Sequence, residues 1–427
     1  MTVRHALALL VLAAAPLTAP AAQEPTQGVR IGLTYTAGTR PGLYVLPMRG
    51  PHADSIRAIL TRDLDFGDRI SVIAPDSGAP PTGKLNYPLY ARLGAAAVLQ
   101  LTPNAAGGLH VVLHEVGPGR VMNTRDFPLE GAPLSAGWRR SVHEVSDEVE
   151  RWVTGVQGIA ATRILFVRGG TLWQVDSDGA NPQPVSGVGS ALGPVWHPGG
   201  SMAAYTEMLD DGTRVVVRDL LKGTARRYVV EAGSNSSPAF SPDGRMLVFS
   251  SGSDGTDLWS VPLDGSERPY RVTVGRGSTN SQPTFAPDGR RLAFTTNRLG
   301  PPQLYITDSD GANPELLTTS GFGDQLYRAD PSWSPDGRFV AFSTLVEGRF
   351  QIATIGLRDR AVKQHTLDGI NEDPAWAPDA RHLVFTSSRS GSKQLWVLDT
   401  ESGRLRQLTH GPASRMAAWS PRFSIAR

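Results

Sequence analysis

The feature that most constrains this chain is a thirteen-residue pattern that returns through its second half. It reads PAFSPDGRMLVFS from Pro238, PTFAPDGRRLAFT from Pro283, PSWSPDGRFVAFS from Pro331 and PAWAPDARHLVFT from Pro374. A worn copy, PVWHPGGSMAAYT, begins at Pro194, and a truncated one, AAWSP, begins at Ala417. Successive copies start 44, 45, 48, 43 and 43 residues apart. A period of about 40–45 residues suits a four-stranded propeller blade.

Each copy predicts strands rather than helix. Ala239–Ser241 is a short strand, Pro242-Asp243-Gly244-Arg245 a tight turn, and Leu247–Ser250 a second strand. A third strand follows around Leu258-Trp259-Ser260-Val261, Asp264-Gly265 turns the chain, and Tyr270–Val272 makes the fourth. Glycine at the turn supplies the left-handed backbone a hairpin needs. One such sheet cannot bury both faces, but a ring of them can. The ends set the number. AAWSP supplies only an innermost strand, and Arg163–Val167 matches a second strand with no first strand before it. Together they complete one blade, which predicts a six-bladed β-propeller closed by both ends of its chain.

The remaining composition narrows the class. A chain of 427 residues has room for two domains, and its net charge of +2, with scattered Lys and Arg, argues against nucleic-acid binding. Cysteine is absent, which excludes disulfides, thiolate metal sites, a cysteine nucleophile and a lipid-carrying cysteine. Arg4 and His5 followed by apolar Ala6–Ala15 and the small-residue site Ala19-Pro20-Ala21 predict an export signal over residues 1–22, cleaved near Ala21–Gln23. An exported chain with neither anchor nor disulfide points to the periplasm.

Residues 23–156 lack the repeat and predict a small α/β domain before a propeller over 163–427. Ile56, Ile59, Leu60 and Leu64 have helical spacing, as do Trp138, Val142, Val145, Val149 and Trp152, whose helix Gly155 should stop. Arg69–Ile73, Ala97–Leu101, Leu109–Glu115 and Val121–Phe127 read as strands, with a short helix at Leu89–Leu93.

Reactive constellations are sparse. Asp176-Ser177-Asp178-Gly179 and Asp308-Ser309-Asp310-Gly311 start like calcium loops, but they fall where blades need hairpin turns. His110 with His114 on a strand, and His143 with Asp147 on a helix, lack the third ligand of a zinc site. They read as a solvated strand face and a helix-surface pair. No G-x-S-x-G elbow or phosphate-cradling glycine loop occurs, so neither enzyme activity nor a cofactor or metal is expected. The aromatic of each innermost strand (Trp196, Phe240, Phe285, Trp333, Trp376, Trp419) reads as core between blades. The loops before the innermost strands, 233–237, 277–282, 323–330 and 369–373, are polar and converge on one mouth of the ring. Loops on a rigid ring are where propellers bind, with Tyr327 and Arg328 as anchors.

The α/β region, the junction and the repeat together resemble the TolB family of periplasmic Tol–Pal proteins. The resemblance rests on His143–Glu148, Thr154-Gly155, Gly158-Ile159 and Thr162-Arg163-Ile164 at the junction. It extends to Arg62-Asp63-Leu64 and Leu93–Leu99 before it, and to Ala418–Pro421 at the end. Thr34–Pro47 and Gln23–Arg30 match the family only loosely, and Ser234 and Gln282 stand where some members carry His and Glu. The resemblance implies a monomeric, non-enzymatic interaction protein supporting envelope integrity during division. It would meet membranes only through partners. A Pal-like lipoprotein would dock on Ser234, Asn235, Asn280, Gln282, Tyr327, Arg328, Asn371 and Glu372. A TolA-like inner-membrane protein would bind the mature N-terminus through Gln23, Glu24, Val29 and Arg30. Two other readings stay open on the residues: a periplasmic propeller that binds peptide or glycan, and a peptidase-associated propeller.

Overall fold

The computed structural model describes residues 39–75, 81, 83–185, 187–275, 277–318 and 327–423. Residues 1–22, where an export signal is expected, Gln23, Glu24, Val29 and Arg30, and residues 323–326 of one mouth loop lie outside the described residues.

The first region is built from β1 (Gly42–Val45), α1 (Ala53–Phe66), β2 (Ser71–Ile73), α2 (Tyr87–Arg92), β3 (Ala97–Pro103), β4 (Leu109–Glu115), β5 (Arg120–Phe127) and α3 (Ala136–Thr154). Its sheet runs β2-β1-β3-β4-β5, with β1 parallel to both neighbours and β3, β4 and β5 antiparallel. The loosely matching stretch before Pro47 thus holds a central strand, β1. It fits because Gly42 has no Cβ, which would collide with the carbonyl oxygen of Gly94. Ile56, Ile59, Leu60 and Leu64 of α1 and the α3 stripe from Trp138 to Trp152 bury against Leu43, Val45, Leu99, Val111 and Leu113. Ser135 caps α3 by accepting the Trp138 N–H at 3.4 Å, and Gly155, at φ 77°, ends it.

Helix α3 is buried on its polar side as well. His143, Ser146, Asp147 and Glu150 are all covered, so the expected helix-surface pair His143/Asp147 is corrected. His143 Nδ1 lies 2.7 Å from Asp63 Oδ2, and the Asp147 carboxylate accepts the N–H groups of Ala160 (2.6 Å) and Ala161 (3.0 Å). A polar helical stripe reads as solvated until a second domain covers it. The strand histidines also differ from expectation. His110 is paired with Asp126 at 2.9 Å, but His114 is buried beneath Tyr87.

Among the described residues the remaining strands form six four-stranded sheets. Blade I contains Arg163–Arg168, Thr171–Asp176 and Gln183–Pro184, and its innermost strand is the chain-terminal Ser414–Trp419. The closing pair runs antiparallel, from Ser414 opposite Arg168 to Trp419 opposite Ile164. Blades II to VI begin with innermost strands Ala191–Trp196, Ser234–Phe240, Asn280–Phe285, Arg328–Trp333 and Asn371–Trp376. Each second strand supplies one buried aromatic at the same place: Phe166, Tyr205, Phe249, Phe294, Phe342 and Phe385. Burying each contributes roughly 1.5–3 kcal/mol. Indole N–H groups stitch neighbouring blades, Trp196 to Ala418 O and Trp376 to Ser332 O, each at 3.1 Å.

The α/β region sits over the propeller face that carries the Asp-Gly turns, at blades I and VI. Arg139 reaches Asp176 (3.1 Å) and Asp178 (2.8 Å), the two acids of the calcium-like turn. Arg404 holds Asp65 in the last turn of α1 (2.7 Å) and Asp68 just after it (2.8 Å). Arg422 donates to Pro378 O and Gln157 O. Among the described residues, the opposite face, where the loops before the innermost strands lie, carries no part of the α/β region. Among the described residues no helix is long and apolar enough to cross a membrane.

Candidate functional site: the loop face and the channel

Every innermost strand is bulged. The register against the second strand slips just before the proline of the repeat in blades III to VI, and at the matching point in blades I and II. The residue at the bulge is left-handed in all six: Gly193 (φ 50°), Ser237 (55°), Gln282 (54°), Asp330 (55°), Asp373 (55°) and Met416 (54°). Left-handed backbone at non-glycine residues costs of order 1–3 kcal/mol each, and a bulge re-aims the side chain it carries. Here all six bulge residues line one central cavity of about 620 Å³, with the prolines that follow them forming part of its wall. Sequence reasoning singled out only Gln282 from this ring. The signal available was positional: the column immediately before the repeat's proline varies while the proline itself is kept in five of the six copies.

Two of the six are acidic and adjacent. Gln282 bonds Asp330 twice, its Nε2 donating to Oδ1 and its Oε1 accepting the Asp330 N–H at 3.2 Å. Thr386 donates to Asp373 Oδ2 at 3.1 Å. Burial, then the neighbouring Asp330 and Glu372 carboxylates, push the Asp373 carboxyl up to about 7. Burial likewise raises Asp330. The channel wall therefore holds a proton near neutrality.

The rim residues fall into two groups. Asn235, Asn280 and Asn371 are fully buried, which corrects their expected place on the contact surface. Asn235 accepts from Val230 N (3.1 Å) and Ser251 Oγ (2.8 Å). Asn280 donates to Asp257 (2.9 Å) and accepts from Arg298 (3.0 Å). Asn371 donates to Gln351 (2.8 Å) and accepts from Arg389 (3.0 Å). They are loop anchors, because an amide can satisfy a turn's orphan backbone groups from within. The two arginines also lie over Phe294 and Phe385, which ties the outer turn to the inner loop. Arg328 is buried too. Ser234, Gln282 and Glu372 are partly exposed, and Glu372 pairs with Lys393 at 2.5 Å. Tyr327 is 36% exposed, with its ring 5.2 Å from Phe350.

The loop face also carries large apolar side chains that sequence reasoning did not single out. Leu299 and Met208–Leu209 stand at turns between second and third strands, and Val274, Leu367 and Ile370 in loops between blades. Antiparallel order brings both kinds of connection to this one face. Leu367 is 78% exposed, Val274 69% and Leu299 68%. Exposed apolar residues grouped on one face mark an interaction surface. Their signal in the sequence was a large apolar residue in an otherwise polar turn.

Among the described residues two sets of acids and histidine lie close enough together to share a cation: Asp63, His143 and Asp178, and Asp68, His382 and Asp399. Guanidinium groups already occupy both. Arg62 and Arg139 pair with Asp178, Arg404 with Asp68, and Arg381 with Asp399. These are ion-pair networks between the two regions.

A family model described as the TolB beta propeller domain matches residues 150–328 and 324–425. The Tol-Pal system protein TolB of Anaeromyxobacter dehalogenans is 31% identical over 293 residues, covering 62% of this chain and 64% of that protein. The Tol-Pal system protein TolB of Bordetella pertussis is 33% identical over 181 residues, 30% of this chain and 41% of that protein. The match therefore spans less than two thirds of the length of these relatives. The crystal structure of TolB from Acinetobacter baumannii superposes with a TM-score of 0.77 over 90% of this chain and 97% of that one. At 22% identity that likeness is one of fold.

Proposed function

Because this chain belongs to the TolB family, we propose that it is a non-catalytic docking protein of the Tol–Pal system, acting in the periplasm. On this reading a Pal-like lipoprotein docks on the loop face, and a TolA-like inner-membrane protein binds the mature N-terminus at Gln23, Glu24, Val29 and Arg30. The bridge between them supports envelope integrity during division.

The observation that carries the reading is the asymmetry of the two propeller faces. One is occupied by the α/β region through arginine–carboxylate pairs. The other presents exposed Leu299, Tyr327 and Leu367 around the mouth of a cavity. A rigid ring with an apolar, open rim is suited to bind a protein surface, where an aromatic anchor flanked by aliphatic contacts carries most of the energy. The contact set then comprises Ser234, Gln282, Tyr327 and Glu372 with Leu299, Leu367 and Ile370. The buried amides Asn235, Asn280 and Asn371, and Arg328, act by holding the loops in place.

Calorimetry with the periplasmic domain of a Pal-like lipoprotein tests this. Tyr327→Ala should cost about 2 kcal/mol, roughly thirtyfold in affinity. Leu299→Ala and Leu367→Ala should each cost less. Affinity unchanged in the triple variant, with loss on altering the exposed face of β5, would place the site elsewhere. Absence of any lipoprotein binding by the unaltered protein would remove the Tol–Pal reading.

A further inference from the structure

We propose that the α/β region is clamped to the propeller by a proton-loaded seam, so that it docks tightly in mildly acidic surroundings and loosens as they become alkaline. The proposal concerns the face opposite the loops and does not depend on which partner docks there.

The seam centres on two carboxyl groups of α3. Asp147 accepts the N–H groups of Ala160 and Ala161, in the segment that leads into the propeller. Glu150 lies 3.3 Å from Arg69, which in turn reaches Asp379 of blade VI at 3.2 Å. The two carboxyls are neighbours, since a Cβ on Gly158 would strike an oxygen of Asp147 and lie 3.0 Å from one of Glu150. A Cβ on Gly67 would meet Glu150 at 2.5 Å. Two glycines thus open the space in which the acids meet, one after α1 and one in the linker. From the propeller side His382 bonds Asp379 at 2.8 Å and reaches Asp68 of the α/β region at 3.3 Å. Behind Asp147 stand Asp63 and His143 of α1 and α3. Arg381 and Arg404 cover the far side of Asp68, by its backbone oxygen and its carboxylate.

The protonation of these groups all runs one way. Burial lifts Asp147 to about 7, and burial with the Asp147 charge lifts Glu150 to about 8. Burial opposes the charge on His382, but the Asp379 and Asp68 carboxylates outweigh it and raise the ring to about 9. When the seam parts and water enters, each group returns toward its ordinary value and sheds its proton. Undocking therefore releases protons, and rising pH favours it. The carboxyl contribution is full below about 4–5 and fades as pH rises through about 7 and 8. The His382 contribution is full below about 6.5 and fades through about 9. On the acid side Asp379 and Asp399, held low by His382 and Arg381, weaken the seam only in strong acid. Docking is tightest near pH 5.

Amide hydrogen exchange on the full chain tests this at pH 5, 7 and 9, after correction for intrinsic exchange. Protection at Ala160 and Ala161, taken relative to blade-core amides such as Phe342, should fall at least tenfold from pH 5 to 9. Glu150→Gln, which keeps the site neutral, and His382→Gln should each flatten part of that fall while the blade-core protection stays. A constant ratio in the unaltered protein across pH 5–9 would overturn the proposal with no variant needed. So would retention of the full fall in both variants.

Discussion

At the residue scale, the strongest effects come from polar groups placed where water is scarce. Asn280 and Asn371 show how a loop can look like a binding surface in sequence and serve as scaffold in the fold: each amide spends its donors and acceptor inward. Asp373 is the opposite case, a carboxyl aimed at the channel beside Asp330 and forced to keep its proton. Its sign can be worked out. A carboxyl raised from 3.8 to about 7 favours the folded state fully below about pH 4, and that contribution is lost as pH rises through 7. Asp373→Asn should therefore raise the thermal midpoint at pH 8 and leave it nearly unchanged at pH 4. Paired melts at the two pH values check it; equal shifts at both would mean that the proton is not held there.

Elements in this fold are decided at turns and bulges. In blades II to V the turn after the innermost strand takes a left-handed glycine, Gly200, Gly244, Gly289 and Gly337 at φ 72–75°. In blade VI the same place is Ala380, at φ 56°. A left-handed alanine costs about 1–2 kcal/mol, and glycine's extra freedom when unfolded returns roughly 0.4–1 kcal/mol of that. Ala380→Gly is expected to stabilise the protein by about 0.5–1 kcal/mol in chemical denaturation. The outer turns have a different need. Gly311 lies so close to blade III that a Cβ would collide with Val272 O, and Gly179 stands likewise against Leu408 O of blade VI, 2.5 Å from where its Cβ would be. Gly311→Ala should cost about 2–3 kcal/mol, because backbone rather than a flexible side chain must give way. A cost below 0.5 kcal/mol would show that blades III and IV can separate there.

For the whole molecule, closure is the decisive contact. Ser414–Trp419 contributes the innermost strand of blade I, and Trp419 donates its indole N–H to Thr162 at 2.8 Å. Removing residues 414–427 leaves the edges of Arg163–Arg168 and of its neighbouring blades open. The expected outcome is a large drop in thermal midpoint with a tendency to aggregate, followed by light scattering during the melt. An unchanged midpoint would mean that the ring holds without its clasp.

The repeat carried most of this architecture in the sequence, because a blade is specified locally. Proline, Asp-Gly turns and alternating strands lie within about 45 residues, and counting copies gives the number of blades. The truncated AAWSP copy and the orphan strand Arg163–Val167 made closure legible for the same reason. The helices α1 and α3 were legible from their apolar stripes, which face their own sheet. What the sequence left open depended on surfaces that meet only in three dimensions. Asp147 and His143 look like an exposed helix pair until the propeller covers them, and Asp176 and Asp178 read as turn residues with no sign of Arg139, which reaches them from α3. The ring of bulge residues, from Gly193 to Met416, is scattered over more than 220 positions and gathers only because six strands share one axis. Local patterns set the blades, since hydrogen bonds and turns act between near neighbours. Which polar groups are buried, charged or free to meet a partner is a matter of long-range packing, which only the tertiary structure decides.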